Sequence, residues 1–239
     1  MTPGRLRAKS PAMKPWETLE RAEVPDVGEV TLARRGDEYV FRVRGQTLMS
    51  SRQHGSEEAL AEAGCEGLAG RSGVRVLVGG LGFGYTTRAV LDRLGPDARV
   101  TVAELLPVVV TWNRGLLAPL AGAPLEDPRV TVVELDVGKH MARQSGTYDA
   151  ILLDVDNGPT ALTHPDNHGL YGRVGLAHAV QALRPGGVLG VWSAGPSPAF
   201  ERRMEQAGFT VQVLHPAAHG TKGTRHTLFM GKRRPQGRR

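Results

Sequence analysis

The chain has 239 residues, 40% of them hydrophobic and 23% charged, with a net charge of +6; that suffices for one large α/β domain and a small appendage in an ordinary globular composition. Its one cysteine, Cys65, excludes an intramolecular disulfide framework and a cysteine-rich zinc site, and it suits a reducing, cytoplasmic setting. No run of about 18 apolar residues occurs and the N-terminus lacks an apolar core segment, so neither a membrane span nor a secretory signal is expected.

The basic charge is concentrated at the ends. Residues 1–14 carry Arg5, Arg7, Lys9 and Lys14, and residues 232–239 carry Lys232, Arg233, Arg234, Arg238 and Arg239, all without an acid. These nine cations exceed the net charge of +6, leaving the body at −3, which suits a cationic substrate. Residues 1–15 are expected to be a disordered basic arm and 232–239 a basic tail. With no aromatics interleaved, they offer nucleic acid no more than weak phosphate contacts.

From Trp16 to about Leu48 the pattern is of short strands, Gly28–Ala33 and Tyr39–Val43, joined by a turn at Arg35-Gly36-Asp37-Glu38. Ser50–Ala69 reads as helical, starting near Ser56-Glu57-Glu58, and residues 16–70 are grouped as a small N-terminal β-hairpin plus helix. Residues 71–231 form the main domain. Its predicted strands are Val74–Val78, Arg99–Ala103, Arg129–Val133, Ala150–Leu153, Val188–Trp192, Thr210–Leu214 and Thr227–Met230. Helical patterns at Thr86–Leu94, Leu106–Leu117, Gly138–Arg143, Leu170–Leu183 and Pro198–Ala207 separate the first six. Strands alternating with helices imply a parallel sheet with right-handed crossovers. The last two strands are joined by His215–Arg225, which has no helical pattern, so the sheet should end in an antiparallel hairpin. The expected fold is a seven-stranded, mostly parallel, Rossmann-like sheet with an antiparallel terminal strand.

The first strand runs into Gly79-Gly80-Leu81-Gly82-Phe83-Gly84. Strand, glycine turn and helix open a nucleotide-binding unit, because the backbone must turn sharply and admit a ligand without a Cβ in the way. The spacing Gly80-x-Gly82-x-Gly84 is not that of a P-loop, and no Gly-Lys-Ser/Thr follows. Ligands of such sheets lie across the C-terminal strand ends, so the residues there are the site candidates. Glu104, after the second strand, can accept hydrogen bonds from ribose hydroxyls. Asp136, after the third, can accept from an adenine amino group or cap the next helix. Asp154, Asp156 and Asn157 follow the wholly apolar fourth strand and concentrate acid beside the cleft. A carboxylate beside a sulfonium ligand can orient an incoming amine and take its proton. His164 and His168 lie in a loop without a partner cluster at ligand spacing, so no metal is expected. Trp192 ends the fifth strand and either walls the pocket or packs.

These residues resemble the spermidine synthase (polyamine aminopropyltransferase) family, over about Gly28–Met230. A small N-terminal β-element before a class I S-adenosylmethionine-type sheet is shared. The family's G-G-G-D-G corresponds to Gly80-Leu81-Gly82-Phe83-Gly84, its ribose-binding acid to Glu104, and its adenine-side acid to Asp136. Its Y-D-x-I-x-x-D-x-x-D-P signature is similar to Tyr148–Pro159, with the catalytic acid on Asp154. The resemblance implies decarboxylated S-adenosylmethionine as ligand, transfer of its aminopropyl group to an amine, and Asp154 as acid/base, with Asp156 and Asn157 on the amine side. A homodimer is compatible with it. The chain departs from the pattern at Phe83, where the family has an acid that helps hold the aminopropyl amine, and at Asn157, the second acid of D-x-x-D. The family's Y-H-E is only approximated by Arg52–Glu58. A methyltransferase using S-adenosylmethionine on the same fold is the alternative reading, and a non-catalytic nucleoside-binding protein a further one.

Overall fold

A computed structural model of the chain describes residues 14–155, 158–160, 167–219 and 222–235. It divides into two compact units, one ending at Arg52 and one beginning at Gln53. The expected terminal arm, and the tail from Gln236 on, lie outside the described residues.

The first unit is an antiparallel meander of four strands, β1 (Glu17–Val24), β2 (Gly28–Arg35), β3 (Glu38–Val43) and β4 (Gln46–Ser50). The expected hairpin is its centre, β2–β3. The outer strands escaped the sequence reading because they carry little apolar signal: β1 reads Glu-Thr-Leu-Glu-Arg-Ala-Glu-Val, and β4 is mostly exposed. Edge strands of this kind are held by ladder hydrogen bonds and ion pairs more than by burial. Here Arg34 pairs with Glu17 and Arg21 with Glu29, both at 3.0 Å.

The second unit opens with helix α1 (Gly55–Cys65), which the sequence reading had placed with the hairpin. Its tight packing explains the assignment. A Cβ on Gly64 would fall on the Leu152 side chain, and a Cβ on Gly190 would sit 2.9 Å from Leu60. The alternation then follows: β5 (Arg75–Gly79), α2 (Tyr85–Arg93), β6 (Arg99–Glu104), α3 (Pro107–Arg114), β7 (Val130–Glu134), α4 (Val137–Met141), β8 (Tyr148–Leu153), α5 (Asn167–Leu170), α6 (Arg173–Ala182), β9 (Leu183–Ser193), α7 (Pro198–Ala207) and β10 (Phe209–Leu214). A small antiparallel pair, β11 (Ala217–His219) and β12 (Lys222–Arg225), occupies the expected loop before β13 (Thr227–Arg233).

The seven-stranded sheet has the order β10-β13-β9-β8-β5-β6-β7. β13 is antiparallel to both β9 and β10, and the pairings among β9, β8, β5, β6 and β7 are parallel. The reversed strand is therefore inserted between β9 and β10 and is not the edge. It also takes up Lys232 and Arg233, two residues assigned above to the tail: Lys232 pairs with Val188 and Thr210, and Arg233 with Phe209. One face of the sheet carries a core built from α4, α6 and α7, with Met141, Leu176, Phe200 and Met204 against Ile151, Leu189 and Phe229. Phe200 meets Tyr171 and Phe229 edge-on at 5.6 and 5.1 Å.

Asp149, the second residue of β8, secures the N-terminal ends of the strands. Its buried carboxylate accepts from Arg71 Nη2 at 3.0 Å, Arg184 Nη1 at 2.7 Å and the Arg75 backbone N–H at 2.9 Å. Removing it strands a buried donor and two oriented guanidiniums. Asp149→Ala is expected to cost about 2 kcal/mol in urea unfolding, and Asp149→Asn, which keeps an acceptor for the Arg75 N–H, clearly less.

Candidate active site

The glycine turn leaves β5 directly into α2. Gly80, Gly82 and Gly84 have φ of +85°, +52° and +88°, a region that L side chains disfavour. A Cβ on Gly80 would fall on the Asp154 carbonyl, and one on Gly84 would lie 2.9 Å from Pro124 Cγ. The turn is pinned from three sides. The Gly80 N–H donates to Ala103 O at 2.9 Å, the Asp154 N–H donates to Gly79 O at 2.8 Å, and the Gly84 N–H closes back on Leu81 O. Asn113, a buried amide on α3, donates through Nδ2 to the carbonyls of Gly82 and Val109, both at 2.9 Å. The sequence reading missed Asn113, since a lone Asn in a helical pattern carries no signal of a contact 31 residues away. Phe83 is buried within the turn, with its ring 6.4 Å from that of Tyr85.

Glu104 ends β6 beside this turn, only 8% exposed. Its Oε2 accepts the Leu81 N–H and its Oε1 the Leu106 N–H, each at 2.8 Å. Two backbone donors thus hold the carboxylate in one orientation. The adjacent Leu105 is 56% exposed, an apolar surface at the rim. Asp136 is the N-cap of α4, accepting the Lys139 N–H at 2.8 Å through Oδ1. Its helix abuts the turn: a Cβ on Gly79 would meet Val137 Cγ2 at 2.8 Å.

Asp154 follows β8, with Thr86 Oγ1, in the first turn of α2, donating to its Oδ2 at 2.7 Å. Burial pushes its carboxyl up to about 6, opposed by the Thr86 bond. The structure therefore brings Gly80, Gly82, Gly84, Glu104 and Asp154 together. Asp156, Asn157 and His164 lie outside the described residues.

The structure adds a group around the first turn of α1. Glu57 is half-buried, and its carboxyl is pushed up to about 8, first by burial and then by the negative charge of Asp154. Beside it, the fully buried Ser56 Oγ lies 2.8 Å from Glu57 Oε2 and 2.8 Å from His226 Nδ1, and it accepts Trp192 Nε1–H at 3.0 Å. Trp192 also meets the His226 ring edge-on at 4.6 Å. Trp192 is thus both packing and a hydrogen-bond donor. The sequence Ser-Glu-Glu looked like a helix start, but His54 occupies the N-cap position, without a side-chain cap, and the Ser56 hydroxyl faces the network. The His54 ring stacks on Tyr85 at 4.3 Å, and its Nδ1 lies 2.9 Å from Glu58. Among the described residues no group of three or more His, Cys, Asp or Glu is gathered to hold a metal ion. No helix of the described residues is long and apolar enough to cross a membrane.

A Cβ-free turn, an oriented carboxylate and a second acid thus meet across the same strand ends. No family model matches the chain. It is 30% identical over 181 residues to a polyamine aminopropyltransferase of Corynebacterium efficiens; the match covers 72% of this chain and 32% of that protein. The chain thus spans about a third of the length of that curated relative. Among solved structures it is similar to a spermidine synthase of Thermotoga maritima, with a TM-score of 0.73 and 17% identity over 97% of this chain and 84% of that one. It is also similar to a spermidine synthase in complex with the transition-state analogue AdoDATO, with a TM-score of 0.72 and 17% identity over 92% and 73%. A probable spermidine synthase of Corynebacterium glutamicum gives a TM-score of 0.60 at 20% identity over 90% and 79%. The chain has the spermidine synthase fold, and its resemblance to that family extends to sequence as a divergent relative.

Proposed function

We propose that the chain is a transferase that binds an adenosyl sulfonium compound, decarboxylated S-adenosylmethionine, and passes its aminopropyl group to a protonated amine. The observation that carries this reading is the placement of Asp154, bonded to Thr86 and in contact with the glycine turn, across the strand ends from the oriented Glu104.

Such a sulfonium supplies an electrophilic carbon next to positively charged sulfur. The turn at Gly80, Gly82 and Gly84 gives the ligand access to backbone. Glu104 is the acceptor for the ribose hydroxyls, and Asp136 accepts from the adenine amino group with the oxygen that does not cap α4. Asp154, with Asp156 and Asn157 beyond it, attracts the acceptor amine. An ammonium has no lone pair to react, so Asp154 must also take a proton. Burial keeps its carboxyl basic enough to do so near neutral pH. A cytoplasmic location and a small cationic amine as partner belong to the same reading.

A second reading, methyl transfer from S-adenosylmethionine, is favoured by Phe83, a buried ring where the family resemblance calls for an acid. Calorimetry with S-adenosylmethionine, its decarboxylated form and methylthioadenosine separates the two. The decarboxylated compound is expected to bind at least about tenfold more tightly than S-adenosylmethionine, a difference of ~1.4 kcal/mol. The reverse order selects the methyltransferase, and silence with all three compounds removes both enzymes in favour of a different ligand.

A further inference from the structure

The Ser56 hydroxyl has one hydrogen and two acceptor sites. It is fully buried and has three partners, so its inventory can be closed. Trp192 Nε1 is a donor only and fills one acceptor site. One hydrogen and one acceptor site then serve Glu57 and His226, so one of those two must donate and the other accept. Two arrangements satisfy every atom. In the first, a protonated Glu57 donates to Ser56, which donates to an unprotonated His226 Nδ1. In the second, an ionised Glu57 accepts from Ser56, and His226 donates from Nδ1–H. The arrangements reverse the direction of every hydrogen bond between Glu57 and His226.

We propose that Glu57, Ser56 and His226 form a proton relay which adapts the cleft to an acceptor with two positive charges, a diamine or longer polyamine. Entry of the second charge ionises Glu57. The Glu57 O–H bond breaks as its proton passes to Ser56 Oγ, the Ser56 hydrogen passes to His226 Nδ1, and the imidazole releases its Nε2 proton to water. One proton leaves, Glu57 gains a negative charge, and His226 ends neutral in the other tautomer. The choice of a polyamine rests on the reading under Proposed function; the relay itself rests on the hydrogen-bond inventory.

The protein surroundings by themselves favour the first arrangement. Glu57 faces Asp154 at the end of β8, Glu58 on its own helix and Tyr85 on α2, and the carboxylates oppose its ionisation. Glu58 is itself held by His54 at 2.9 Å. His226 packs on Trp192 and adjoins Thr227, whose Oγ1 is 3.4 Å from His215 Nδ1; burial lowers its affinity for a proton. These surroundings favour a neutral Glu57 beside a neutral His226, and an incoming cation shifts the balance.

Nitrogen-15 NMR of the ligand-free chain tests the relay without reference to catalysis. Between about pH 6 and pH 9 His226 should change from the Nε2–H to the Nδ1–H tautomer, because Glu57 ionises over that range. Ser56→Ala should abolish the change, and Glu57→Ala should leave His226 fixed as Nε2–H. A wild-type tautomer constant over that range, or one that changes equally in Ser56→Ala, would overturn the relay. The ligand class is tested by calorimetry of putrescine binding to the methylthioadenosine-saturated chain, in buffers of different ionisation enthalpy. Near neutral pH, about one proton should be released per diamine in the wild type and about none in Glu57→Ala. Binding without release overturns the coupling. Absence of diamine binding alongside an intact tautomer change overturns the polyamine assignment alone.

Discussion

Asp154→Asn is expected to lower turnover by about 10²–10⁴-fold while methylthioadenosine affinity changes little. The substitution keeps a side chain of the same size and an oxygen for Thr86 Oγ1–H, so the cleft retains its shape. What it removes is a basic oxygen at a strand end that meets both the glycine turn and α2. The pH dependence should change with it. Asp154 accepts a proton only when ionised, and burial raises its carboxyl to about 6. Wild-type kcat should therefore fall as pH drops below that value, roughly tenfold per pH unit, and the variant's residual rate should lack this limb. Unchanged turnover in Asp154→Asn, or an acid limb that survives the substitution, removes Asp154 as the base.

Gly80→Ala should be the most damaging one-methyl change in the turn. Two penalties coincide there. At φ +85° a side chain strains the backbone by about 1–2 kcal/mol. The added methyl would also fall on the Asp154 carbonyl, and forced overpacking costs a further ~1–3 kcal/mol. Gly70→Ala separates the two, because Gly70 has φ +76° but nothing within 4 Å of its absent Cβ. Gly80→Ala should unfold at a clearly lower urea midpoint than Gly70→Ala. It should also weaken methylthioadenosine binding by at least about tenfold, since the obstruction lies in the proposed cradle. Equal midpoints for the two variants would show that the turn yields to the methyl at no cost.

How much of this was legible in the sequence depended on how local each signal was. The parallel strands β5 through β9 each contain an apolar run, so they lie where the alternation put them, with boundaries moved by up to five residues. Glu104 and Asp154 could be placed at neighbouring strand ends because a strand end is a sequence landmark, and sheet topology turns landmarks into neighbours. β1 and β4 were missed because their alternation is between charged and weakly apolar residues. Glu57, Ser56 and His226 were missed for a different reason. Ser56 and His226 are 170 residues apart, and nothing in either local pattern distinguishes a relay from a helix start and a loop histidine. Asn113 belongs to the same class: its function is a contact to a carbonyl, which no side-chain pattern records.

The insertion of β13 between β9 and β10 has a consequence for biosynthesis. β9 lies between β8 and β13, and among the described residues β10 pairs in the large sheet with β13 alone; β13 emerges from the ribosome after both. Until then β9 presents an open edge, and β10 has no partner in the large sheet. The β5–β8 core and its glycine turn can assemble on the nascent chain, whereas His226, the residue just before β13, reaches Ser56 only at the last step. A chain stalled before β13 would therefore hold the glycine turn and Asp154 without the His226 contact to Ser56, with an exposed strand available for association with other stalled chains.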